Sequence, residues 1–130
     1  MNYFAYGSSL CKKQMQSLCP ASQALFTAVL PNYKLVFSGW SRQWRGGIAN
    51  LKLRRGERVR GAVYEVTDDC LRRLDRLEPG YERLKVTVFN TDDEAVEAIT
   101  HVRSGQVEET RPSPDYVSLM QQGYRDWRLF

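Results

Sequence analysis

Apolar and polar residues alternate over much of this chain, and in three shorter stretches the apolar positions recur every third or fourth residue, which predicts many strands and few helices. Residues 3–6, Tyr-Phe-Ala-Tyr, form an apolar run that stops at Gly7 and reads as a short strand. Ser8 and Ser9 then offer N-cap oxygens to a helix over residues 10–18, which Cys19-Pro20 ends. Residues 24–29 and 33–37 read as strands separated by a Pro31-Asn32 turn, and a Trp- and Gly-rich loop follows over residues 39–47. Residues 48–53 and 58–66 read as a hairpin across Arg55-Gly56-Glu57.

Asp68 and Asp69 introduce a helix that carries Leu71, Leu74 and Leu77 on one face and stops at Pro79-Gly80. Two alternating strands come next, residues 81–89 and 95–102, joined by the acidic turn Thr91-Asp92-Asp93-Glu94. Ser113-Pro114 starts the last helix, since serine is a good cap and proline is tolerated at the first helical position. Strands outnumber helices and the hairpins imply a mostly antiparallel or mixed sheet. The expected class is therefore α+β, with the sheet curling around its own core rather than doubly wound.

Composition fits one compact domain over residues 1–130: 42% of residues are apolar and 26% charged. No run approaches the ~18 apolar residues of a membrane span, and the N-terminus has no basic start followed by an apolar stretch, so a cytoplasmic protein is expected. Cys11, Cys19 and Cys70 are odd in number and contain no close pair, which argues against disulfides and for buried apolar thiols in a reducing compartment. With a single histidine, His101, no zinc-ligand spacing exists, and metal-free chemistry without a cofactor is expected. The net charge of +4 comes mostly from arginines crowded between Arg42 and Arg83. The aromatics follow no RNA-binding motif, so this reads as a solvated surface biased toward anionic small molecules before it reads as a nucleic-acid face.

Four places could carry chemistry. The Gly7-Ser8-Ser9 turn lies between a strand and a helix, where backbone N–H groups and the helix dipole converge on a point suited to an anion; an ordinary capped helix start would look the same. Glu78 is four residues after Leu74 and seven after Leu71, which on a continuing helix turns its carboxylate inward at the negative end of the dipole. Both effects would raise its pKa toward the range of a general acid/base, while a frayed end whose side chain bends into water or pairs with Arg83 is the alternative. Trp44-Arg45-Gly46-Gly47 offers an aromatic wall beside two residues without side chains, either a pocket floor or a glycine-bearing turn. Tyr116 lies in the first turn of the last helix, as a pocket donor or as core. Asp75 reads as structural, salt-bridged to Arg72 or Arg76 or capping a loop.

Together, residues 3–10 (YFAYGSSL), residues 44–49 (WRGGIA), residues 74–78 (LDRLE) with Gly80-Tyr81, and residues 112–116 (PSPDY) resemble the γ-glutamylcyclotransferase-like family in order and spacing. The resemblance implies a compact, mixed, mostly antiparallel β-barrel with flanking helices. It implies that Tyr6, Gly7, Ser8, Ser9 and Leu10 bind the α-carboxylate of a γ-glutamyl group, that Glu78 is the catalytic acid/base, and that Tyr116 is a pocket residue, with Trp44, Gly46 and Gly47 as further substrate contacts. The expected reaction closes the substrate's α-amine on its own γ-carbonyl, giving 5-oxoproline and releasing an amine. Many family members have Asn where this chain has Ser9, and any lid following the last helix of longer relatives is expected to be absent. The expected partner is a small γ-glutamyl molecule, and the expected state a monomer or homodimer. The competing readings are a non-catalytic binding module for an anionic metabolite in the same cleft and, less favoured, a nucleic-acid binder using the arginines.

Overall fold

In the computed structural model, which describes residues 1–129, β1 (Asn2–Ala5) leads through a 3-10 turn (Ser8–Leu10) into α1 (Lys12–Leu18). β2 (Gln23–Ser41) and β3 (Gly46–Glu65) follow, then α2 (Asp68–Asp75), β4 (Glu82–Phe89), β5 (Ala95–Val102) and α3 (Pro114–Trp127). The strands close into a barrel in the order β1-β3-β2-β4-β5, antiparallel except where Tyr3 of β1 meets Ile99 of β5 in parallel. This is the mixed, mostly antiparallel α+β barrel that the sequence predicts. Alternation along the first strand divides the core. Phe4 and Tyr6 point with Leu30, Leu51, Val63 and Val88 into the barrel, whereas Tyr3 and Ala5 pack with Leu10, Met15, Leu71 and Leu74 under the helices.

The middle of the chain departs from the expected hairpins. Residues 24–29 and 33–37 belong to the single strand β2, and residues 48–53 and 58–66 lie almost wholly in β3, which pairs with β2 over its whole length rather than folding on itself. The turn signals at Asn32 and Gly56 are genuine, both having positive φ, but they mark a common irregularity in a long ribbon. Its register jumps from Tyr33↔Leu53 to Pro31↔Arg58, and Asn32 Oδ1 accepts the Gly56 N–H at 3.2 Å. The ribbon's actual turn is at residues 42–45, closed by the Ser41↔Gly46 pair and by an Arg45 N–H to Ser41 carbonyl bond of 2.7 Å.

The helix ends also correct the sequence reading. Ser8 and Ser9 cap nothing with their side chains, and the expected helix over 10–18 is a 3-10 turn followed by α1. Thr67, not the following aspartates, caps α2, its Oγ1 accepting the Cys70 N–H at 3.1 Å. α3 starts as expected, with Ser113 Oγ accepting the Tyr116 N–H at 3.3 Å. Cys19 and Cys70, expected as free thiols, form a disulfide with their Cα atoms 5.3 Å apart; Cys11 is free and buried. Their 51-residue separation hid the pair, because folding α1 beside α2 is what brings them together.

Candidate active site

Gly7 carries the chain from the barrel into the 3-10 turn, which closes through Leu10 N–H to Gly7 carbonyl (3.0 Å) and Cys11 N–H to Ser8 carbonyl (3.2 Å). A side chain at Gly7 would stand 3.0 Å from both the Ala49 Cβ and the Tyr116 hydroxyl, so β3 and α3 press directly on this turn. Gly7, Ser8 and Ser9 line a cavity of about 70 Å³ together with Tyr6, Tyr116 and Glu78. Four of its lining residues, Ile48, Leu77, Glu78 and Tyr81, also line an adjoining hollow of about 510 Å³, so Glu78 is shared between the two. A larger hollow of about 610 Å³ along β2, β3 and residues 103–109 does not include Glu78.

The peptide of Ala49 fixes two phenols in the cavity wall. Its N–H donates to the Tyr116 hydroxyl and its carbonyl accepts from the Tyr81 hydroxyl, both at 3.1 Å. Burial pushes the Tyr116 phenol up; the Ala49 N–H and the Ser8 backbone and hydroxyl oppose this, and the charge of Glu78 adds to it. Tyr81 is raised for the same first reason, with contributions from Tyr116 and Glu78 partly opposed by Arg103. Tyr6 is held high by burial while its hydroxyl donates to the His101 carbonyl at 2.6 Å. The phenols around the cavity therefore remain protonated at neutral pH and act as hydrogen-bonding groups rather than bases.

Glu78 is not on the leucine face of α2. That helix ends at Asp75, with Arg76 as its C-cap, and Glu78 follows in a turn. The carboxylate is half-buried and is held from across the fold, Ser41 donating to Oε2 at 2.8 Å. Arg83, the expected alternative partner, is engaged by Asp75, whose two carboxylate oxygens meet its guanidinium at 2.9 and 2.7 Å. Asp75 also meets His101 Nε2 at 2.7 Å, and His101 Nδ1 lies 3.0 Å from the Tyr3 hydroxyl. Arg83 first, and His101 after it, hold the Asp75 carboxyl down to about 2 despite some desolvation. Asp75 is thus structural as expected, but its partners are Arg83 and His101; Arg72 pairs with Asp69 instead.

Of the residues singled out in the sequence, Tyr6, Gly7, Ser8, Ser9, Glu78 and Tyr116 meet around one cavity. Leu10, Trp44, Gly46 and Gly47 do not line it. Leu10 is fully buried in the second core, and Trp44 packs edge-on against Tyr116, 5.6 Å between ring centroids. Gly46 and Gly47 are glycines because the chain at residues 110–113 crosses them: a Cβ on Gly46 would lie 2.9 Å from the Arg111 carbonyl, and one on Gly47 would overlap that of Thr110. Sequence reasoning misses Ser41 and His101, which no local pattern marks, and gives no site role to Tyr3 and Tyr81, although both fall in segments that carry the family resemblance.

A closed mixed barrel, with a cleft that sets a strand-to-helix turn beside the Glu78 carboxylate, defines a small α+β barrel protein. Its family follows from comparison with known proteins. The chain belongs to the family described as "Gamma-glutamyl cyclotransferase, AIG2-like", whose sequence model matches residues 3–128, and it is a γ-glutamylcyclotransferase-like enzyme. It is similar to the γ-glutamylcyclotransferase of Homo sapiens, 27% identical over 132 aligned positions that cover 95% of this chain and 70% of the relative. The Bos taurus γ-glutamylcyclotransferase is 28% identical over the same shares. A solved γ-glutamyl cyclotransferase structure superposes with a TM-score of 0.93 at 26% identity, covering 99% of this chain and 80% of the other.

Proposed function

We propose that this enzyme cyclises a γ-glutamyl amine or γ-glutamyl amino acid to 5-oxoproline and releases the amine, with Glu78 as general acid/base. The observation that carries the reading is that Gly7, Ser8, Ser9 and Glu78 line one small cavity and that Glu78 is shared with a larger adjoining hollow. The glutamyl part would occupy the smaller cavity, its α-carboxylate on the Gly7–Ser9 turn, and the leaving amine would extend into the adjoining hollow. The α-ammonium gives a proton to Glu78, and the freed amine attacks the γ-carbonyl carbon. The tetrahedral intermediate then collapses as Glu78 returns that proton to the leaving nitrogen, and the second proton of the attacking nitrogen passes by way of the Glu78 carboxylate to the released amine, which leaves as an ammonium.

The substrate supplies its own nucleophile, so the protein contributes chiefly orientation, worth up to ~7–11 kcal/mol in well-aligned intramolecular reactions. Donors of the turn and the protonated Tyr116 phenol are the available groups for the carboxylate and for the developing oxyanion. The test is incubation of purified protein with γ-glutamyl dipeptides and γ-glutamyl-ε-lysine, followed by mass spectrometry for 5-oxoproline. Glu78→Gln is expected to lower the rate by ~100- to 10,000-fold with the fold intact. Absence of product from every substrate would overturn the activity, and unchanged turnover in Glu78→Gln would overturn the role of Glu78.

A further inference from the structure

Ser41 ends β2, is 1% exposed, and belongs to none of the segments that mark the family in this sequence. Its hydroxyl donates to Glu78 Oε2 at 2.8 Å, and Ser41 Oγ in turn accepts the Trp44 N–H at 3.1 Å. The tight turn at residues 42–45 fixes that geometry from behind, through the Arg45 N–H to Ser41 carbonyl bond and the Ser41↔Gly46 pair. A hydroxyl has a single proton; with the Trp44 N–H on its acceptor side, that proton is directed at the carboxylate.

We propose that Ser41 is a positioning residue for proton transfer, an inference that rests on Glu78 being the acid/base. By holding Oε2, Ser41 reserves Oε1 both to receive the proton of the α-ammonium and to return it to the departing nitrogen. The Ser41 proton stays on Oγ throughout. The amine's electron pair forms the bond to the γ-carbonyl carbon, the pair of the breaking C–N bond takes the first proton from Oε1, and the second proton of the new ring nitrogen follows through Oε1 to the released amine, which departs as an ammonium carrying the charge of the original α-ammonium. Without the hydroxyl, the carboxylate rotates and presents either oxygen in orientations that miss the substrate nitrogen.

Ser41→Ala is expected to lower kcat by about 10- to 100-fold, the range for a lost hydrogen bond to a charged group, with KM changed by less than about threefold. In a Glu78→Gln background the same substitution is expected to cost less than about threefold more, because the group it positions is gone. Equal losses in both backgrounds, or no loss in wild type, would overturn the proposal. A readout independent of turnover is the Trp44 amide proton in an NMR pH titration. It should follow the ionisation of Glu78 in the wild type and cease to do so in both Ser41→Ala and Glu78→Gln. A Trp44 titration that persists in Ser41→Ala would refute the coupling even if no substrate is turned over. Full turnover in Glu78→Gln would remove the acid/base reading itself, whereas a dead Glu78→Gln beside a fully active Ser41→Ala would remove only the role of Ser41.

Discussion

Replacing Gly123 with alanine should impair catalysis much more than stability. Gly123 lies in α3 where the helix backs onto the 3-10 turn, and an added Cβ would stand 2.6 Å from Leu10 Cβ and 2.8 Å from the Cys11 nitrogen. Ordinary contacts begin at 3.4 Å, so helix and turn must part by about 0.6–0.8 Å. Overpacking of this kind costs about 1–3 kcal/mol, and alanine returns about 1 kcal/mol through its better helix propensity. The net loss is about 0–2 kcal/mol, a fall in Tm of less than about 10 °C. The turn carries Ser8 and Ser9 into the cavity, and under the proposed reaction, which relies on orientation, a displacement near 1 Å costs about 100-fold. The expected result is kcat/KM for 5-oxoproline formation reduced by about 10- to 100-fold in a folded protein. Gln121→Ala, exposed on the same helix, controls for helix propensity. Turnover of Gly123→Ala equal to that control would refute the argument that α3 sets the position of the turn.

Two further outcomes concern stability. The Cys19–Cys70 disulfide closes a loop of about 50 residues, and its removal in Cys70→Ser, or by reductant, should cost about 2–4 kcal/mol in urea denaturation. Thiol titration of denatured, unreduced protein should count Cys11 alone, and three thiols would show that the bond is not formed. The Asp75 carboxyl, held down to about 2 by Arg83 and His101, contributes stability that is present above its ordinary unfolded value near ~3.9 and is lost as pH falls through 2. Asp75→Asn should therefore lower Tm at neutral pH and flatten its decline between about pH 4 and pH 2; an unchanged acid profile would contradict that linkage.

The family segments and several local features were legible from the residues: β5 at its true bounds, the Ser113 cap, the first strand to within one residue at each end, and the α+β class. Each depends on neighbours a few positions away, where alternation, capping oxygens and turn residues act directly. The same locality explains the errors. The positive-φ residues Asn32 and Gly56 give identical signals whether the chain reverses or bends within a long ribbon, and only the pairing of β2 with β3 tells the two apart. A helix continued to Glu78 singled out a residue that does line the cavity, but for a reason that does not hold, because α2 stops at Asp75 and the carboxylate is held by Ser41, 37 residues away. The contacts of Tyr116 with Ala49, 67 positions apart, and of His101 with Tyr3, 98 apart, likewise exist only once the barrel has closed. The sequence by itself determined the short-range elements and the residue types available for chemistry. The tertiary structure decided which of them share a cavity, because burial and hydrogen bonding between distant segments are properties of the closed barrel and not of any stretch of the chain.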